Sequence, residues 1–349
     1  MKCIQDTAKQ KIIILDGAMG TRLQRYDLTE NDFRGQCFAH LKGQLKGNYD
    51  VLCLTRPDIV ADVHRKYLEA GADMIETNTF SSQRISQADY GLEAEAGEMA
   101  LEGARIARRV ADEFTTENWP RYVAGSMGPT NRMLSMSCNV NNRSSRTISY
   151  EELFLAYEEQ ALALLKGGVD VLLIETCIDL LNAQCAVNAA RHAMKRVGRE
   201  VPLMVSFTIN DASGRTFCGQ SLDDIMTGME PLNLWCMGLN CGLGAKQLKP
   251  FVEQLSSKSP FLVSVYLSAG LPNAMGKYDE TPEKMAEEMK EYIDDGLVNI
   301  LGGCCGTDEE YIRRFAQMAF NRSPRKPVER NHQVHLSSRG MLRKREVAG

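Results

Sequence analysis

Two stretches decide the fold: Glu69-Ala-Gly-Ala-Asp-Met-Ile-Glu-Thr77 and Lys166-Gly-Gly-Val-Asp-Val-Leu-Leu-Ile-Glu-Thr176. In each, a glycine ends a helical pattern, an acidic residue opens an apolar run, and Glu-Thr closes it. Asp295-Gly-Leu-Val-Asn299 repeats the helix-to-strand entry near the far end. Working outward, similar runs fall at 12–16, 73–77, 122–125, 169–176, 203–209, 235–241, 261–267 and 297–302. They are continuous rather than alternating, as parallel strands buried on both faces require. Helical stripes lie between them: Met99, Ala100, Ala104, Ala107 and Val110 within 93–113, and Leu153, Tyr157, Ala161 and Leu164 within 151–166.

Eight such units in about 310 residues predict an α/β fold, a single-domain (β/α)₈ TIM barrel. A doubly wound open sheet has fewer strands and usually a phosphate loop after the first, and Gly17-Ala-Met-Gly-Thr21 lacks the G-x-G-x-x-G pattern. The longest connections, 17–57 and 126–149, follow the first and third strands. Both therefore belong to the face on which barrel enzymes place their chemistry.

Composition sets the outer limits. The 349 residues are 44% hydrophobic and 25% charged, with a net charge of −4, the profile of a soluble globular protein. No apolar run is long enough to span a membrane, and the first residues lack a signal-peptide pattern, so we expect a cytoplasmic protein with no membrane partner. Charge is uneven: residues 321–349 carry +6 and the rest −10. With Pro324, Pro327 and several serines, that segment reads as a solvated basic tail or linker (321–349) after a barrel of 1–320. Lacking aromatics or a motif, it gives no footprint for nucleic acid.

Eleven cysteines in a cytoplasmic chain call for packing, catalysis or metal binding rather than disulfides. Cys241 lies in Gly238-Leu-Asn-Cys-Gly-Leu-Gly244, at the end of the sixth strand. Cys304 and Cys305 lie in Gly302-Gly-Cys-Cys-Gly-Thr307, after the eighth. Thr307 and Glu310 have capping-box spacing, which predicts a helix starting at Thr307 with its positive end beside the thiols. Three thiolates on two nearby loops match a zinc site with one open position. A redox-active adjacent pair and simple packing are the other readings of these cysteines. Cys3, Cys37, Cys53, Cys138, Cys177, Cys185, Cys218 and Cys236 read as buried small hydrophobes. No histidine competes: His40, His64 and His192 fall in an insertion or on helices, and His332 and His335 in the polar tail.

Seven motifs occur in order: Leu15-Asp-Gly-Ala-Met-Gly-Thr21, Glu76-Thr-Asn-Thr-Phe80, Gly128-Pro-Thr-Asn131, Ile174-Glu-Thr-Cys-Ile-Asp179, Asp211-Ala-Ser-Gly-Arg-Thr216, Gly238-Leu-Asn-Cys241 and Gly302-Gly-Cys-Cys-Gly306. Together they resemble the homocysteine S-methyltransferase family, in particular the N-terminal homocysteine-binding barrel of cobalamin-dependent methionine synthase. Asp32-Phe-Arg-Gly35 and Gly270-Leu-Pro-Asn273 resemble that branch more than the betaine- or S-methylmethionine-dependent relatives. The resemblance implies that Cys241, Cys304 and Cys305 bind Zn²⁺ and that the substrate thiol completes the tetrahedron. It also implies that Asp16 and Glu175 hold the homocysteine ammonium group, and that the backbone N–H groups around Gly17 and Ala18 take its carboxylate. No catalytic residue beyond the zinc centre is implied. Glu76, the repeat counterpart of Glu175, reads as an ordinary rim residue, and Asn78 is left undecided.

The chemistry is consistent. A free thiol ionises only near pH 8.5, and zinc deprotonates a bound thiol. Three protein thiolates and the substrate's give the centre a formal charge of −2, which keeps the sulfur nucleophilic. The chain departs from the family where Leu267-Ser268 replaces the usual Pro-Asn at the mouth. The modules for folate, cobalamin and reactivation have no counterpart: Asp62-Val-His-Arg-Lys-Tyr67, the nearest approach to D-x-H-x-x-G, reads as surface helix. We therefore expect homocysteine as substrate and methylcobalamin as a donor not bound by this chain. Cobalamin- and folate-binding modules would act in cis or in trans. The alternatives are a free-standing methyltransferase using betaine or S-methylmethionine, and a non-catalytic zinc or redox barrel.

Overall fold

The computed structural model describes residues 2–136, 147–271, 273 and 278–329. Eight parallel strands, β1 (Ile13–Ile14), β2 (Met74–Glu76), β3 (Tyr122–Met127), β4 (Val171–Cys177), β5 (Leu203–Phe207), β6 (Cys236–Asn240), β7 (Leu262–Leu267) and β8 (Ile300–Gly303), form one sheet. Their order is β1-β8-β7-β6-β5-β4-β3-β2, and a parallel bridge between Leu15 and Met74 joins the two ends. Helices outside the strands, among them Pro57–Ala70, Ala96–Phe114, Tyr150–Gly167, Leu180–Val197 and Glu309–Ala319, complete a (β/α)₈ barrel.

The repeated helix-to-strand entry has a structural reason. Gly71, Gly168 and Gly296 end their helices at φ +109°, +95° and +64°, a region only glycine enters freely. The polar residue that follows staples its strand to the neighbour. Asp73 Oδ2 accepts the N–H of Ile14 at 2.9 Å, Asp170 Oδ2 that of Val123 at 2.8 Å, and Asn299 Oδ1 that of Val263 at 2.9 Å. Each also donates its own N–H to the carbonyl of that residue. Each staple thus satisfies backbone groups at a strand start, before the regular ladder begins.

Side chains alternate across the sheet. The inward set Ile13, Leu15, Met74, Tyr122, Ala124, Val171, Leu173, Met204, Cys236 and Ile300 forms an apolar interior, plugged from below by Ile4 and Ala8 of the N-terminal helix Ile4–Ala8. Continuing the same parity toward the strand ends gives Glu76, Ser126, Glu175, Ser206, Asn240 and Tyr266. One barrel thus has an apolar floor and a polar upper layer.

Three readings of the sequence need correction. The helix read as starting at Thr307 has Asp308 as its N-cap, whose side chain accepts the N–H of Glu310 at 3.0 Å. The 62–67 segment is not all surface, because His64 is fully buried, with both ring nitrogens unpartnered. Burial pushes its pKa down to about 3, so the ring is neutral. Arg325 is not solvated linker but is buried at 6% exposure. Its guanidinium donates to the carbonyls of Ser256, Ser259 and Phe261, and the Val328 N–H bonds Ser259 O at 3.1 Å. Of the packing cysteines, Cys53, Cys177, Cys185 and Cys236 are buried and Cys218 is half-buried, but Cys3 and Cys37 are exposed. Cys138, Pro272, His332, His335 and residues 330–349 lie outside the described residues. Among the described residues no helix is long and apolar enough to cross a membrane.

Candidate active site

The loops after β6 and β8 bring Cys241, Cys304 and Cys305 together, all three sulfurs lying within 4.8 Å of one another. Cys241 Sγ is 3.9 Å from Cys305 Sγ. Cys241 and Cys304 are paired as a disulfide, with Cα atoms 5.9 Å apart, which differs from the three free thiolates expected. The physical reason is proximity: sulfurs around one tetrahedral zinc ion stand about 3.8 Å apart with bonds near 2.3 Å, and backbones that place them so are also within disulfide reach. The donor set fits zinc: three cysteines and no fourth protein ligand among the described residues.

Backbone bonds hold the cysteine loop. Cys304 N–H donates to Leu267 O at 2.7 Å and Ala269 N–H to Cys305 O at 2.8 Å. The Leu267-Ser268 departure therefore leaves this brace intact, since it uses main-chain groups. Gly306 sits at φ +83°, and a Cβ there would stand 2.3 Å from the Tyr278 ring. Beside the cysteines, Asn240 Oδ1 accepts from Ser206 Oγ at 2.6 Å and from Thr176 N–H at 3.2 Å, and its Nδ2 donates to Thr176 Oγ1 at 2.9 Å. Thr176 and Cys241 both have positive φ, +57° and +52°, a strained conformation for a β-branched residue in particular. The Thr176 kink coincides with the register shift between Ile174 and Cys177.

Across the mouth lie carboxylates. Asp16 is buried at 2% exposure and Glu175 at 4%. Asp16 Oδ2 accepts the Glu76 N–H at 3.0 Å while Oδ1 has no partner. Ser126 Oγ donates to Glu175 Oε1. Burial raises the Glu175 pKa to about 7 against the Ser126 hydrogen bond. Burial, then the Glu175 charge, raises that of Asp16. Glu76 is half-buried, more enclosed than the rim reading expects. Its Oε1 is buried without a partner, and burial with the charges of Glu175 and Asp16 pushes its pKa well up. Strand parity was the signal for it: as the repeat counterpart of Glu175, it projects inward in the same layer. Asn78, in contrast, donates to Tyr49 O at 2.8 Å and serves the loop.

The segment after β1 completes the mouth. Gly17 is packed so closely that a Cβ would lie 2.9 Å from both Thr307 Oγ1 and Tyr67 Cε1. The Ala18 N–H donates to Thr307 Oγ1 at 3.3 Å, a long bond that an anion could replace. Thr307 Oγ1 in turn donates to Cys304 O at 2.7 Å, and Tyr67 Oη donates to Ala18 O at 3.0 Å. Ser126, Tyr67 and Asn240 were not singled out from sequence, and Thr307 was read only as a helix start. All four act through tertiary contacts that no local pattern announces. Asp32 and Arg34 of the Asp32-Phe-Arg-Gly35 motif organise the first long loop. Asp32 closes a capping box on Thr29 and pairs with Arg56 at 2.6 Å, and Arg34 donates to the carbonyls of Leu41 and Gly43.

A family model described as homocysteine S-methyltransferase matches residues 13–319. Among solved structures, the chain is similar to the homocysteine methyltransferase MmuM from Escherichia coli in its oxidized form. The TM-score is 0.68 at 20% identity, covering 89% of this chain and 97% of that one. The metallated form gives 0.65 at 21%, covering 90% and 98%, and the apo form 0.62 at 21%, covering 91% and 98%. At these identities the likeness shows the barrel fold.

Proposed function

The chain belongs to the homocysteine S-methyltransferase family, and from that premise we propose that it methylates homocysteine to methionine at a zinc centre. The observation that carries this reading is the convergence of three cysteine sulfurs with buried, incompletely bonded carboxylates in one barrel mouth. Cys241, Cys304 and Cys305, in their reduced form, would hold the ion, which supplies an ionised and nucleophilic substrate sulfur at neutral pH.

The chain's own residues do the rest. Asp16 and Glu175 grip the ammonium group, each stronger for being shielded from water. The N–H groups of Gly17 and Ala18 take the carboxylate, the latter leaving Thr307. Gripping both ends of the amino acid fixes where its side chain points, so the sulfur meets the donor in one orientation. Ser126 holds the Glu175 carboxylate in place. The methyl group comes from methylcobalamin presented by another module or chain, with a folate-binding module to recharge it. That donor is supported by the resemblance of the Asp32-Phe-Arg-Gly35 and Gly270-Leu-Pro-Asn273 segments to the methionine synthase branch. We place the protein in the cytoplasm.

The test combines metal analysis with methyl transfer. The reduced, purified chain should carry stoichiometric zinc, lose it in Cys304→Ala, and methylate homocysteine from free methylcobalamin unless a chelator is added. Turnover with S-methylmethionine or betaine but not methylcobalamin would replace the donor. Zinc without any response of the metal environment to homocysteine would point to a non-catalytic barrel.

A further inference from the structure

The polar upper layer holds more carboxyl groups than the ammonium grip just described requires. Asp16, from just beyond β1, meets Glu76 of β2 and Glu175 of β4 closely enough for their charges to act on one another. Among the described residues no lysine, arginine or histidine pairs with any of them, and the hydrogen bonds they do accept come from Glu76 N–H and Ser126 Oγ. Asp16 Oδ1 and Glu76 Oε1 are buried with no partner. A fourth group faces the same space: the Tyr266 hydroxyl, from a residue 1% exposed, lies beside Ser206 and feels the charges of both Glu175 and Glu76. Buried acceptors left without donors destabilise a fold. Several converging on one point are retained where a ligand supplies the donors. Once ionised, the three carboxylates offer acceptors only, so the partner they lack in that form is a cationic donor. A primary ammonium, with three N–H groups, matches three carboxylates one to one.

We propose that Glu76 is a third ligand of the substrate ammonium group, so that the mouth recognises an α-amino acid through a three-carboxylate cage of Asp16, Glu76 and Glu175. This rests on the homocysteine reading and extends it to specificity. A thiol lacking the amino group leaves the buried Asp16 and Glu175 and the half-buried Glu76 without a cationic partner and is rejected, whereas homocysteine satisfies all of them. A site built around buried polar groups discriminates against ligands that leave them empty more strongly than an apolar pocket discriminates by size.

Calorimetric titration of the zinc-loaded full chain with homocysteine and with its desamino analogue, γ-mercaptobutyrate, tests this. The wild type should prefer homocysteine. Glu76→Gln, which keeps the shape and removes the charge, should weaken homocysteine about 10- to 100-fold, as expected for one charged hydrogen bond. It should bind the analogue at least as tightly as the wild type does. Glu76→Asp, which keeps the charge, should recover part of the preference. If Glu76 were only structural, both ligands would weaken together, and a Glu76→Gln protein with the full wild-type preference would equally overturn the proposal. A wild type that binds homocysteine without preferring it over the analogue overturns the cage as a whole while leaving the function standing. A wild type that binds neither thiol removes the homocysteine reading itself, and the cage with it.

Discussion

Replacing Arg325 should unfold the barrel several degrees early, although it lies beyond the last helix. Its guanidinium makes five donor contacts in a pocket at the bottom of β7. Nε reaches Ser256 O at 3.0 Å and Ser256 Oγ at 2.8 Å, Nη1 reaches Phe261 O at 2.9 Å, and Nη2 reaches Ser256 O at 2.5 Å and Ser259 O at 2.7 Å. Ser256 lies in the last turn of the helix Ala245–Lys258. The residue four positions on, which would normally donate to its carbonyl, is Pro260, and proline has no N–H. Arg325 supplies the missing donor. Arg325→Ala strips buried carbonyls of their partner at about 1–3 kcal/mol each, moderated by water entry, so we expect a loss of about 3–5 kcal/mol. With an unfolding entropy near 0.7 kcal/mol/K for a body of about 320 residues, the midpoint should fall by about 4–7 °C. Differential scanning calorimetry of the reduced protein reads this directly. Arg325→Lys should recover only part, because one ammonium cannot reach three carbonyls in a fixed fork. A midpoint within about 1 °C of wild type in Arg325→Ala would refute the capping argument.

Gly17→Ala forces a Cβ against Tyr67 and Thr307, and overpacking of about 1–3 kcal/mol should appear as a homocysteine affinity lowered roughly 5- to 150-fold. Zinc content, measured in parallel, should be retained. Asp50, buried while accepting from Ser81 N–H at 2.7 Å and Ser82 Oγ at 2.8 Å, has its pKa raised by burial from 3.8 to about 6. The folded state therefore keeps a proton that the unfolded chain releases. Stability from this group is lost as pH rises from about 4 to about 6, by about 3 kcal/mol in total. Urea titrations across that range should show the slope in wild type and its loss in Asp50→Asn.

Strand positions were readable because a parallel barrel strand buried on both faces must be a continuous apolar run, and all eight runs became strands. The first shrank most, to Ile13–Ile14, since much of its pairing to β2 is done by side chains rather than by a ladder. The cysteine cluster stood out because glycines flank it and no core strand looks so. Glu76 was misjudged although its repeat partner was recognised. A carboxylate at a strand end suggests solvent, and only alternation along β2, with Met74 inward, places it inside. His64 and Arg325 were misjudged for the same reason, since a polar side chain taken alone suggests a surface. Tyr67 meets Ala18 and Thr307 only through long-range contacts, and nothing local marks it.

The junction of β1 with β2 has a further consequence. Every other strand pair has a ladder of at least two registered pairs, whereas this one relies on a single bridge, the Asp73 staple and the bond from Glu76 N–H to Asp16 Oδ2. Asp16 is thus at once a rivet in the wall and, in the proposed function, part of the substrate grip. The wall is thinnest where the amino acid would be held. A bound ammonium would tie its two edges together, so filling the mouth and closing the cylinder become one event.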